Sequence, residues 1–540
     1  MQRDRASCEP LHYFAFPTGC MAAELRDEFG KWRSFFWPIH RVELRKFVPM
    51  LAIFFLIAFN YNILRGFKDS LVVTAKNSGA EAIPFIKVWA ILPMAILLTF
   101  VFTRLANRYS REKVFYVMMI VFLSFFFIFT FFLYPAREWL HPNELADKLQ
   151  LILPSGFRGL IAIFRNWIFT LFYVMSELWS TAILTVLFWG FANEVTSVSE
   201  AKRFYGILSI FANISGIFSG QALIFLSETI FIPQLPYGKE PWEQSILYLN
   251  CAVILSGILT IAIFRWLNKH VILPEERSQA HLAKPEKIKM SMRKNFAYLS
   301  KSKYLLCIAL IVLTYNVAVN LFEVVWKNQI RQIYPDPSSY NVYMGEVLTS
   351  IGVVATLVSI LFTTNILRRF SWTASALIPP IITLATGALF FFFTVFPNST
   401  LMGITQFMNL SPLYLSVTFG SLHYCLSRVS KYTFYDATKE LAFIPLSKES
   451  KLKGKAAIDG VGSRLGKSGG SVIHQGFLLF FTTVAASAPF IALFFFCFLV
   501  IWIFAVVTLG KQFDEQVNQN AKLDIPEPES KESSPTLQQT

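Results

Sequence analysis

Charge is scarce in this 540-residue chain: Asp, Glu, Lys and Arg make up 15% of it, against 54% hydrophobic residues that include 56 Phe. A soluble globular domain carries about a quarter charged residues, so that class is excluded and a polytopic membrane protein is expected. Cysteine is sparse too. The six, Cys8, Cys20, Cys251, Cys307, Cys425 and Cys497, share no spacing of a zinc site or disulfide framework and read as small apolar residues, so no metal and no cofactor is expected. A cleavable signal is missing, because residues 1–46 hold Asp4, Glu9, Glu24, Asp27 and Glu43 and no continuous apolar core. The same acids argue against an organelle transit peptide.

A phosphate loop is missing as well. The segment from Gly460 to Gly470 ends in Gly466-Lys467-Ser468, but the pattern G-x-x-x-x-G-K-S needs glycine where Val461 stands, and no strand precedes it. ATP hydrolysis is therefore not expected, although glycine backbone N–H groups beside Lys467 can still cradle phosphate. No cluster of His, Asp or Glu marks one aqueous face, which leaves a polytopic membrane transferase as the weakest reading. The chain is read as no enzyme.

What is present is a series of apolar runs of membrane-crossing length. They lie near 47–64, 84–105, 114–134, 165–191, 205–227, 246–266, 304–325, 345–366, 373–396, 402–424, 471–488 and 490–510, the last two divided at Ser487-Ala488-Pro489. The fold class expected is all-α, with about 12 transmembrane helices in two six-helix, major-facilitator-like halves at 47–266 and 304–510. Residues 1–46 form an N-terminal arm, 267–303 a basic linker and 511–540 a polar tail expected to be disordered. The linker carries nine Lys and Arg, among them Lys269, Arg277 and Lys284, against Glu275, Glu276 and Glu286. The positive-inside bias puts it, and with it both termini, in the cytoplasm. The net charge of +15 fits that bias and an anionic solute; no nucleic acid partner is called for.

Ionisable residues at membrane depth cost several kcal/mol and usually face a bundle interior or wet cavity. Glu177 lies near the middle of the run Trp167 to Phe191, Lys87 in the opening turn of span two, Glu323 near the end of span seven, and Lys467 just before span eleven. Two ammonium groups can grip phosphate, and two carboxylates can compete for them or carry a proton. Each has a plainer alternative: Glu177 protonated between helices, Lys87 and Lys467 snorkelling to headgroups, Glu323 paired with Lys327 one turn on. Arg165 reads as an interface anchor of span four, and His423 and His474 as hydrogen-bonded fillers.

Several long blocks carry a resemblance: NYNILRGFKDSLVVTAKNSGAEAIPFIKVWAILP at 60–93, FYVMSELWS at 172–180, LFWGFANEVTSVSEAKRFY at 187–205, NLFEVVWK at 320–327 and GKAAIDGVGSRLGKSGGS within 434–471. Over about 31–511 the chain resembles the ATP/ADP translocase family of nucleotide transporters from obligate intracellular bacteria and plastids. The resemblance implies Lys87 and Lys467 in substrate binding and Glu177 and Glu323 in coupling or transport. It implies ATP, ADP or related nucleotides as partners and a bacterial inner membrane as the site; a lipid bilayer as partner and a functional monomer are expected as well. Exchange of ATP for ADP by alternating access is the leading expectation; proton-coupled import of several nucleotides is the other.

Overall fold

The computed structural model describes residues 37–228, 231–272, 302–361, 371–396, 409–446 and 462–523, with a few isolated positions besides. Most of the N-terminal arm, of the linker and of the polar tail lies outside the described residues. The long helices are α1 (Leu44–Val73), α2 (Ala82–Arg108), α3 (Arg111–Leu133), α4 (Trp167–Val195), α5 (Val198–Glu228) and α6 (Pro241–His270). After the linker come α7 (Lys303–Ile333), α8 (Pro337–Leu361), α9 (Trp372–Val395), α10 (412–442), α11 (Ser463–Phe481) and α12 (Val484–Leu523). No strand occurs among the described residues. Ten of these helices are long and apolar enough to cross a membrane, and the protein is an all-α, multi-pass membrane protein. The remaining two, α10 and α11, hold several of the charges discussed below.

Helix starts follow capping chemistry that hydropathy does not register. Ser302, Ser371 and Ser411 each accept a hydrogen bond from a backbone N–H in the first turn of α7, α9 and α10, which satisfies a donor the helix itself leaves open. Pro412 follows at the first helical position of α10, where its missing N–H costs nothing. The tenth helix therefore runs from 412 to 442, displaced from the apolar run 402–424. The break between the last two helices also moves. It falls at Thr482, which takes a left-handed φ of 62°, and Thr483 then caps α12 through its Oγ1 and the Ala486 N–H. Pro489, expected to divide the spans, sits inside α12. That helix continues through Leu523, past the 510 boundary suggested by hydropathy.

Three short helices, Arg137–Leu140, Asn143–Ile152 and Arg158–Arg165, connect α3 to α4. Arg165 closes the third of them and donates to Asp147 at 2.5 Å. It is thus separated from α4 by Asn166 and holds the connection together, a correction to its reading as the start of span four.

Glycines line two close helix seams, the first between the halves and the second within the C-terminal half. Between α5 and α8, glycines allow the backbones to touch: a Cβ on Gly220 would lie 2.6 Å from the Gly345 carbonyl oxygen, and one on Gly352 would lie 2.8 Å from the Ile217 amide nitrogen. Gly216 and Gly220 stand four apart on α5, the small-residue spacing that lets membrane helices pack closely where hydrophobicity gives no drive. The second seam joins α7 and α11. Gly466 and Gly470 rest on Asn316 and Asn320 and on the carbonyls of Leu313 and Val317. The glycine-rich segment, read as a loop able to cradle phosphate, is therefore helical from Ser463 onward, with Gly466 and Gly470 used for close approach and nothing within 4 Å of a Cβ on Gly469.

The bundle is packed unevenly along its axis. Its capped end is where α1 finishes and α2 begins. There Ala82 to Ile86 are all buried, and the short helix Arg158–Arg165 presses Gly159 against the Glu81 carbonyl and the Phe85 ring. At the other end, toward His270 and Lys303, the continuation of α2 from Leu92 to Arg108 has no buried residue. The bundle is thus less tightly packed around α2 at the end toward His270 and Lys303, the open end.

Candidate functional site

Helical spacing lays polar stripes on the faces that look between the halves. On α1 the stripe is Tyr61, Arg65 and Asp69, with Lys68 beside it; on α7 it is Asn316, Asn320, Glu323 and Lys327. Residues three and four apart share a helix face, so each stripe forms a column. The columns meet in two clusters of different charge.

The cluster nearer the capped end is a relay of alternating sign. Glu177 of α4 lies 3.4 Å from Lys68, which lies 3.4 Å from Asp69 and stands 3.6 Å over the Tyr173 ring. Asp69 lies 2.7 Å from Lys327, and Lys327 lies 2.8 Å from Glu323. Glu323 lies 3.0 Å from Lys87 of α2, which also donates to Asn320 at 2.5 Å. Three carboxylates thus face three lysines, and the formal sum is zero. The middle of the relay is closed, with Lys327 at 0% and Asp69 at 2% side-chain exposure; its ends are open, Lys87 at 16% and Glu177 at 36%. Burial of isolated charges is prohibitive, and this geometry answers it by giving each buried charge two opposite neighbours. Around the relay, Ser70 and Ser227 bond Asn341, and Gln475 donates to the Pro84 carbonyl, so the two halves are tied at this end.

The cluster nearer the open end is cationic. Arg65 donates to the Tyr424 hydroxyl. Its guanidinium carbon lies 5.2 Å from that ring's centre, and the Arg428 guanidinium carbon lies 5.1 Å from the same centre. Lys431 pairs with Asp436 at 2.7 Å and stands 4.9 Å over Tyr432. Lys467 is exposed and within electrostatic reach of Glu177 on one side and of Arg428, Lys431 and Lys87 on the other. Four cations thus accompany one close carboxylate, Asp436, an excess of three positive charges.

Of the four residues singled out in the sequence, Lys87, Glu177 and Glu323 belong to the relay. Lys467 lies in the second turn of α11 and not before it, facing the cationic cluster. Glu323 does pair with Lys327, as the plainer alternative had it, and with Lys87 at the same time. His423 bonds Thr386 at 2.8 Å and His474 bonds the Leu321 carbonyl at 3.0 Å, and no group of three or more metal-ligating residues occurs among the described residues. Hydropathy missed Arg65, Lys68 and Asp69 because it took their charges as the end of span one. It missed Arg428 and Lys431 because they lie beyond the apolar run. The available signal was the four-residue spacing of Tyr61, Arg65 and Asp69.

Stretches wound in π turns recur at these positions. One covers Ile86–Ile91 and includes Lys87, another starts at Ser180 just past Glu177, and a third covers Lys431–Tyr435. A π turn inserts an extra residue into an α-helix and so turns the side chains beyond it to a new direction, a device common at functional sites.

Comparison with known proteins identifies the family. The family described as TLC ATP/ADP transporter matches residues 22–513. The chain is 44% identical over 495 residues to ADP,ATP carrier protein 1 of Chlamydia muridarum, covering 91% of this chain and 93% of that one. It is 39% identical over 471 residues to ADP,ATP carrier protein 1, chloroplastic, of Arabidopsis thaliana, covering 87% and 74%. Among solved structures, a bacterial homologue of the iron transporter ferroportin in an inward-facing state aligns with a TM-score of 0.48 at 14% identity, over 88% of this chain and 98% of that one. With a match across nearly its whole length, the chain belongs to the TLC ATP/ADP transporter family.

Proposed function

We propose that the protein exchanges ATP for ADP across a bacterial inner membrane by alternating access, with Lys87 and Lys467 binding nucleotide and Glu177 and Glu323 coupling binding to the change of state. One observation carries the reading. The Lys87–Glu323 pair joins α2 of the first half to α7 of the second at 3.0 Å, so an anion that engages Lys87 competes with the contact that holds the capped end shut. A carrier needs such a competition, because a ligand shifts a conformational equilibrium only by binding the two states unequally. In this reading each six-helix half rocks as a unit, the open end and both termini face the cytoplasm, and one chain suffices for transport.

The test is counterflow in proteoliposomes. Labelled ATP should enter vesicles preloaded with ADP and should not enter empty ones. Entry into empty vesicles driven by an imposed pH gradient would replace exchange with proton-coupled import.

A further inference from the structure

We infer that Arg65 and Arg428, which flank the Tyr424 ring from opposite halves, form with Lys467 the subsite that takes the polyphosphate of the transported nucleotide. This rests on the proposed nucleotide transport and adds to it two residues that the four expected charges leave out.

Charge compensation distinguishes this cluster from the relay. Every charge of the relay has an opposite neighbour within 3.4 Å. Lys431 likewise has Asp436. Arg65, Arg428 and Lys467 have no carboxylate in ion-pair contact among the described residues. Three uncompensated cations at membrane depth are costly to hold unless an anion joins them. Their placement also excludes a purely local packing role. Arg65 comes from α1, Arg428 from α10 and Lys467 from α11, so the group spans the two halves, and it grades from Arg65, buried, through Arg428, half-buried, to Lys467, exposed.

The chemistry fits a polyphosphate better than a single carboxylate. Guanidinium groups present planar forks that bind phosphate oxygens in pairs, while the lysine adds a point charge. Tyr424 accepts a hydrogen bond from Arg65 and lies beneath both guanidinium groups, so it fixes their planes before a ligand arrives. Anion binding here also draws α1 toward α10 and α11 and thereby favours closure of the open end. An empty site would instead bring three like charges together on closing. The arrangement thus supplies a reason for the carrier to reorient only when loaded.

The test uses the purified full-length chain in proteoliposomes, with ADP, AMP and inorganic pyrophosphate as probes. Arg428→Gln removes a charge whose loss orphans no carboxylate, so the fold should persist; a thermal midpoint matching the parent protein confirms it. Expected are a loss of about tenfold or more in apparent affinity for ADP and in inhibition by pyrophosphate, the ratio of a charge-assisted hydrogen bond, and a smaller loss for AMP. Arg428→Lys should recover part of the ADP affinity, and Arg65→Lys should show the same ordering of losses. ADP affinity and pyrophosphate inhibition both unchanged in Arg428→Gln would overturn the subsite, as would equal losses for ADP and AMP. Absence of ADP exchange in the parent protein would refute the transport reading itself, which keeps the two failures distinct.

Discussion

Lys327 and Lys87 both pair with Glu323, yet their removal should have opposite kinds of consequence. Lys327 is fully buried between Asp69 and Glu323, so Lys327→Met leaves Asp69 with the weaker partner Lys68 and Glu323 with Lys87 alone. Breaking a buried pair from one side costs about 3–5 kcal/mol, and the thermal midpoint of the detergent-purified protein should fall clearly. Lys87→Ala leaves Glu323 its bond to Lys327. That variant should unfold near the parent temperature and fail in ATP uptake. Normal uptake by Lys87→Ala in correctly inserted protein would remove Lys87 from the site.

At the scale of elements, the α5–α8 seam makes a sharp contrast available between two glycines on one helix. A Cβ at Gly220 would press on the backbone of α8 at 2.6 Å, whereas one at Gly216 finds its nearest neighbour, Gly352 Cα, at an ordinary 3.6 Å. Gly220→Ala should therefore lower stability by about 1–3 kcal/mol through overpacking, and Gly216→Ala should be close to neutral. Equal thermal midpoints for the two would mean that the helices do not meet in this register. The connection between α3 and α4 offers a pH test. Burial, and secondarily the charge of Arg137, lower the pKa of His141 from 6.5 to about 4. Its ring packs edge-on against Phe169. A histidine held neutral in the folded state contributes fully above its unfolded pKa, and that contribution is lost as pH falls from about 6.5 through about 4. His141→Phe should flatten the acid side of the stability profile over that window and leave it unchanged near neutrality.

Most of the helices were legible in the sequence because an apolar run of membrane length has few other readings. Their ends were not. Ser411 and Thr483 set the starts of α10 and α12 through single hydrogen bonds, a signal that carries no hydropathy and that the apolar stretch before Pro412 and the proline at 489 outweighed. The candidate site was half legible. Glu177 stood out against uncharged neighbours, but Lys68, Asp69 and Arg65 stood together, and a run of charges reads as the edge of a membrane helix. What makes them interior is their partners on α4, α7 and α10, and pairings across more than a hundred residues leave no local trace. The π turns beside Lys87, Glu177 and Lys431 are likewise a matter of backbone winding that composition does not display.

For the whole molecule, the uneven packing predicts access from one side. A cysteine placed at 177, in a background without the native cysteines, should react with small water-soluble thiol reagents from the end that carries His270 and Lys303, and ATP should slow the reaction. Reaction solely from the capped end would reverse the assignment of the open mouth.

The separation of the charges into a neutral relay and a cluster with three positive charges in excess also bears on membrane voltage. An electric field acts on each elementary charge carried fully across it with roughly 2.3 kcal/mol per 100 mV. The relay sums to zero, so making or breaking it moves little net charge. The cluster does not. Rocking with that site empty would drag positive charge through part of the field, whereas a polyphosphate seated among Arg65, Arg428 and Lys467 cancels most of it and leaves the loaded carrier nearly indifferent to the potential.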